Sequence, residues 1–173
     1  TPTPIFWASG ACMFIRRDVY VKEGGLDSVF FAHQEEIDLC WRLHCRGYQV
    51  MSVPQSVVYH VGGGTLEYES PRKTFLNFRN NLLMLYKNLP PSKVHVVLFV
   101  RFFMDYVAAL QMLFAGKWLN AKAVLNARCE FLKLRMLNRN KKQNTIRKPK
   151  TSYPTIISQR SIVFDFYLRG KLK

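Results

Sequence analysis

The chain has 173 residues, 49% of them hydrophobic and 14% aromatic, which is enough apolar material for one packed domain and excludes a disordered tail. Its net charge of +15 is unevenly placed: residues 1–70 carry net −3 and residues 71–173 net +18. The basic part suits an anionic partner, nucleic acid or a membrane surface, and composition alone does not choose between them.

The N-terminal "TPTPIFWASG" has neither a charged n-region nor an apolar h-region, and Thr1 stands where a full protein would begin with Met, so these residues read as a piece of a longer protein. The run "SGACMFIRRDVY" passes from small to apolar residues, as a buried strand does. A short helix over "RRDVYVKEGGLD", stopped by Gly24 and Gly25, should follow, and then a loop "LDSVFFAHQ". From Glu35 to Arg46 the residues Ile37, Leu39, Cys40, Trp41 and Leu43 cover one broad side of a helix, with Gly47 at its C′ stop. "YQVMSVP" and "SVVYHV" read as two short strands around Pro54, ahead of a flexible "GGGT".

"PRKTFLNFRNNLLMLYKNLP" predicts a helix with Phe75, Phe78, Leu82, Leu85 and Tyr86 near one face and a stop at Pro90 and Pro91. Residues 94–116 are long enough to cross a bilayer as a helix, but Arg101 and Asp105 near the centre cost roughly 2.5 to 3.5 kcal/mol each on insertion scales. Their i,i+4 spacing lets them pair, and a helix buried in a bundle or lying in the membrane interface fits better than a lone span. The following stretch mixes apolar residues with Lys and Arg as an interfacial amphipathic helix does, and "NRNKKQNTIRKPKTS" reads as a solvated basic linker. The expected organisation is therefore a first part over 1–90, membrane-associated helices over 91–137 and a basic linker and tail over 138–173. Cys12, Cys40, Cys45 and Cys129 form no CxxC or zinc pattern and are expected as reduced, buried thiols of a cytosolic setting.

The three acids of "QEEID" cannot share one task, because neighbours on a helix diverge by about 100 degrees. Asp38 is four residues before Arg42, the spacing of a helix-surface ion pair. Glu35 and Glu36 sit at the helix start, where the macrodipole alone favours carboxylates; beside the aromatic Phe30 and Phe31, either is equally a reasonable general base. His60, ending an apolar stretch, reads as a hydrogen-bonded structural residue, and the polar Arg79 and Asn80 as a solvated helix face or a phosphate contact.

In their order and spacing, GA, GGLD, FF, the acidic pair, DLCWR, RGY and YHVGG make residues Ala8 to Pro90 resemble the C-terminal half of the catalytic domain of family 2 glycosyltransferases, especially bacterial rhamnosyltransferase-like members. The resemblance implies a GT-A fold, an α/β nucleotide-sugar domain with a mostly parallel sheet, here lacking its N-terminal donor-binding half. It implies inverting transfer of a sugar such as rhamnose from a nucleotide-sugar donor to a glycan or lipid-linked acceptor in cell-surface polysaccharide synthesis. Glu36 falls at the position of the family's base, usually Asp, with Glu35 in reserve. His60 falls at the position of a histidine that helps hold a divalent metal, Mg or Mn, whose remaining ligands would lie upstream of Thr1. Gly10, Asp27, Phe31, Asp38, Trp41, Arg42, Gly62, Gly63, Gly64, Arg79 and Asn80 are implied substrate-site residues. The basic segment would hold the enzyme at an anionic membrane surface, on the cytoplasmic face of the inner membrane, as a peripheral or monotopic protein. No nucleic acid is expected in this reading. The alternatives are a basic nucleic-acid or membrane-binding module without catalysis and a small membrane-anchored structural protein.

Overall fold

The computed structural model describes residues 1–61 and 70–139. Within them five helices accompany a small antiparallel ladder, in which β1 (Thr3–Ile5) pairs with β2 (Val50–Ser52) in the register Thr3 to Ser52, Pro4 to Met51 and Ile5 to Val50. Between the two strands lie α1 (Arg17–Lys22) and α2 (Glu35–Cys45); after them come α3 (Pro71–Asn88), α4 (Pro91–Phe114) and α5 (Trp118–Arg139).

The helix ends follow the punctuation in the sequence. At the close of α2, Gly47 takes φ +83°, its N–H donates to the His44 carbonyl at 3.0 Å, and Tyr48 N–H donates to the Leu43 carbonyl at 3.0 Å. This is a Schellman closure, and Tyr48 packs on the cluster containing Leu43 as that motif favours. α3 opens on Ser70, whose hydroxyl accepts from Lys73 N–H at 3.2 Å, with Pro71 in the first turn where no backbone donor is needed. A Cβ at position 47 would meet nothing within 4 Å, so only the left-handed backbone resists a side chain there. Gly47→Ala should therefore cost about 1 kcal/mol, read as a lower urea midpoint at unchanged slope.

α3 is the hub. Leu82, Leu83 and Met84 share one core with Phe30 and Trp41 on one side and with Val94, Leu98 and Phe131 on the other, so packing continues without a break across residue 90. The face expected on α3 is accordingly incomplete. Leu76, Asn80, Leu83 and Met84 are buried along with Leu82, because neighbours cover this helix on several sides rather than one. α5 also differs from a purely interfacial helix: Ala121, Ala123, Val124, Ala127 and Phe131 are buried, and their mostly small side chains let it lie close to α3 and α4.

Two expected strands are not formed. Residues 9–15 make a turn and an irregular segment in which Met13 and Ile15 pack on Val19, Leu39 and Leu43 while Phe14 faces solvent. Residues 56–61 are exposed and unpaired. A strand needs a ladder partner, and among the described residues β1 and β2 satisfy only each other. The cysteines also divide: Cys40 is buried and Cys45 half-buried, with burial pushing both thiols up, whereas Cys12 and Cys129 are exposed. All four are free thiols.

The i,i+4 pair on α4 is present, with Arg101 Nη2 at 2.8 Å from Asp105, and Arg128 of α5 reaches the same carboxylate at 3.1 Å. α4 is the one helix among the described residues long and apolar enough to cross a membrane. Val96, Phe99, Phe103, Val107, Leu110 and Phe114 form an exposed stripe along it at helical spacing.

Candidate active site

The loop before α2 follows an unusual path. Phe31, His33 and Gln34 have φ of 64°, 69° and 74°, three left-handed non-glycine residues within four positions. Ala32 N–H donates to the Phe30 carbonyl at 2.8 Å, making a tight turn around Phe31. Each such residue costs of order 1–3 kcal/mol and persists only where the surroundings over-determine it.

The surroundings that do so are on α3. The Asn80 side-chain amide is fully buried, and its NH2 lies 2.8, 2.7 and 2.8 Å from the carbonyl oxygens of Phe30, Ala32 and His33. Arg79 donates to the carbonyls of Val29 and Phe30 at 2.9 and 3.1 Å, and its Nε donates to Asn80 Oδ1 at 2.9 Å. Phe30 inserts fully into the core, while Phe31 points outward, 65% exposed, with the Arg72 guanidinium 5.2 Å from its ring centroid.

This loop delivers Glu35 and Glu36 into the first turn of α2. Glu35 Oε2, Glu36 Oε2 and His33 Nε2 are buried atoms that make no hydrogen bond among the described residues. Burial pushes the Glu36 carboxyl above its usual range; its own backbone N–H opposes this, and the neighbouring Glu35 charge adds to it. A half-buried carboxylate with a high proton affinity and a free lone pair is a competent proton acceptor.

Asp38 has a different role. It is fully buried and receives Arg42 Nε at 2.9 Å, Lys87 Nζ at 3.1 Å and Asn88 Nδ2 at 2.8 Å. Lys87 also holds Asp27 at 2.7 Å and lies over the Phe30 ring. Burial raises the Asp27 carboxyl, but the Lys87 ammonium, with the Val29 N–H and Arg42, outweighs it and leaves the group below its usual value. Arg42 donates onward to the carbonyls of Glu23 and, at 2.6 Å, Gly25, which ties the end of α1 to α2.

Asp27, Asp38 and Arg42, expected among the substrate-site residues, thus form a structural ion network. Trp41 is buried in the core with Phe6 edge-on at 5.5 Å. Arg79 and Asn80 are turned inward onto the loop rather than forming a solvated face. Gly10 is exposed and a Cβ there would meet nothing within 4 Å, and Gly62, Gly63 and Gly64 lie outside the described residues. His60 is exposed on an irregular stretch, and among the described residues no group of three or more His, Cys, Asp or Glu gathers as a metal site. These described residues do not by themselves fit a metal.

Sequence reasoning missed Lys87 and Asn88 and the inward role of Asn80. For Asn80 a signal existed: it lies on the Leu76, Asn80, Leu83, Met84 stripe, a polar residue among buried apolar ones.

No protein-family model matches the chain, and no solved structure matches it. Among curated proteins it is 37% identical over 57 residues to an N-acetylglucosaminyl-diphospho-decaprenol L-rhamnosyltransferase of Mycobacterium tuberculosis, covering 33% of this chain and 19% of that protein. It is 34% identical over 58 residues to the rhamnosyltransferase WbbL of Escherichia coli, covering 34% and 22%. It is 28% identical over 81 residues to the low-salt glycan biosynthesis hexosyltransferase Agl10 of Haloferax volcanii, covering 46% and 26%. The chain spans only 19 to 26% of the length of these relatives. Over a third to a half of its own length it is similar to enzymes named as glycosyltransferases.

Proposed function

We propose that this chain is the acceptor-facing part of an inverting glycosyltransferase of the family 2, GT-A type, with Glu36 as the general base. The observation that carries the reading is the Glu36 carboxylate, held at the start of α2 by a strained loop, with one buried oxygen unengaged and its proton affinity raised. The similarity to rhamnosyltransferases supports the class and suggests rhamnose as the sugar.

In the proposed reaction Glu36 takes the proton of an acceptor hydroxyl as that oxygen attacks the anomeric carbon of a nucleotide sugar. The bond to the nucleotide diphosphate breaks, and the diphosphate leaves with the electron pair. Donor contacts are proposed to lie in the part of such an enzyme that the chain, spanning 19 to 26% of the length of its relatives, does not cover. The experiment is sugar transfer by the complete gene product, wild type against Glu36→Gln, with saturating donor.

The acceptor is proposed to be a glycan or lipid-linked sugar, met at the cytoplasmic face of an anionic inner membrane by a peripheral or monotopic enzyme. The exposed stripe on α4 and the excess of Lys and Arg after residue 70 support this placement. Vesicles containing anionic lipid should co-sediment the protein, less so at high salt. Phe99→Ser with Phe103→Ser should weaken binding by about tenfold or more, since burying one such ring is worth roughly 1.5–3 kcal/mol. Equal binding by the double variant would remove α4 as the contact.

A further inference from the structure

The inference here rests on Glu36 as the base and concerns two residues whose side chains are turned inward onto the loop ahead of it. We propose that Asn80, backed by Arg79, is a positioning residue that fixes the Phe30–Gln34 loop in its left-handed path and thereby sets the place and surroundings of Glu36.

Three carbonyl oxygens converge on one amide nitrogen, an arrangement that an unsupported loop does not hold, because parallel dipoles repel and each left-handed residue is disfavoured. The amide cannot turn over, since Arg79 Nε donates to Asn80 Oδ1 and leaves only the NH2 facing the loop. Asn80 itself sits in the middle of an 18-residue helix whose neighbouring side chains Leu76, Leu83 and Met84 are buried, so the clamp is anchored on a well-packed helix. Beyond the loop, Gln34 occupies the N-cap of α2 without a side-chain cap, so nothing local fixes the entry angle of that helix. The direction in which Glu35 and Glu36 leave α2 is then inherited from the clamped backbone.

If the clamp is released, the loop relaxes toward right-handed or extended backbone, the first turn of α2 frays, and Glu36 meets more water. The titratable neighbours of Glu36 on its own helix are Glu35, whose charge raises it, and, one turn on, the Cys40 thiol, which burial keeps protonated, and neither is touched by the substitutions below.

The test pairs a titration with kinetics in the complete gene product, using Asn80→Ser, and Arg79→Lys if Asn80→Ser does not fold. Glu36 is followed by NMR of carbon-13-labelled glutamate side chains, and folding by cooperative thermal unfolding. The expected result is a Glu36 midpoint shifted down toward an ordinary glutamate. It should be accompanied by a fall in kcat on the order of a hundredfold, the usual effect of small misplacement, at nearly constant KM. Restoration of both in Asn80→Gln, by a longer amide reaching the same carbonyls, would further support the clamp. A folded variant whose Glu36 midpoint is unmoved overturns the proposal. A midpoint that moves while kcat holds leaves the clamp standing and sinks Glu36 as the base, so the two assignments fail separately.

Discussion

Glu36→Gln is expected to lower kcat by about a hundred- to ten-thousandfold while making the folded protein more stable at neutral pH. The loss follows from removing the proton acceptor without changing the size of the side chain. The gain follows from linkage. Burial raises the folded-state pKa of Glu36 above its unfolded value, so between those two values the native state binds more protons than the unfolded one. Stability from this group is thus fully present below the ordinary glutamate pKa and is lost as pH rises through the raised one. Glutamine, which never ionises, keeps what glutamate loses. Thermal unfolding should show the variant above wild type at neutral pH, with the difference vanishing in acid below the ordinary glutamate range. The same shift should place the acid limb of the kcat/KM profile above that of an ordinary carboxylate. Wild-type transfer by Glu36→Gln would sink the assignment, and a destabilised variant would show that Glu36 serves the fold.

Asp38→Ala should act in the opposite sense, costing roughly 3–5 kcal/mol of stability, the range seen when one partner of a buried pair is removed. Asp38 is fully buried and receives Arg42, Lys87 and Asn88, so its loss takes the shared partner from two half-buried cations and an amide, leaving Lys87 on Asp27 and Arg42 and Asn88 on backbone carbonyls. The contrast within this protein is Arg16 with Asp18, 3.7 Å apart and well exposed, a pair worth at most about 1 kcal/mol. Urea unfolding separates the cases: a large fall in midpoint for Asp38→Ala, little change for Asp18→Ala. A small effect at Asp38 would mean the network around Lys87 reforms on Asp27 alone.

Two acids two positions apart therefore carry stability effects of opposite sign, and the sequence marks the difference only in part. The Asp38 to Arg42 spacing was legible because a helix makes i,i+4 neighbours whatever the tertiary fold. Lys87 and Asn88 were not, because they come from 49 and 50 residues downstream and their contact with Asp38 exists only when α3 packs on α2. The helices themselves were readable from apolar periodicity and from stops at Gly24, Gly47 and Pro90. The expected strands at 9–15 and 56–61 failed because an apolar run says nothing about whether a partner strand is present. At the candidate site, the aromatic loop and the acids behind it were visible, but its left-handed backbone was not. Phe31, His33 and Gln34 are not residues that announce positive φ as glycine does, and the reason they adopt it is an asparagine on another helix.

That dependence on α3 also sets how the site comes apart. At 6 and 11 residues α1 and α2 are too short to stand alone, and the loop bonds to Asn80 join residues 47 to 50 positions apart. Local opening of the α3 docking surface should therefore disassemble the site at a lower cost than global unfolding, read as faster amide exchange in the loop than in the core of α3.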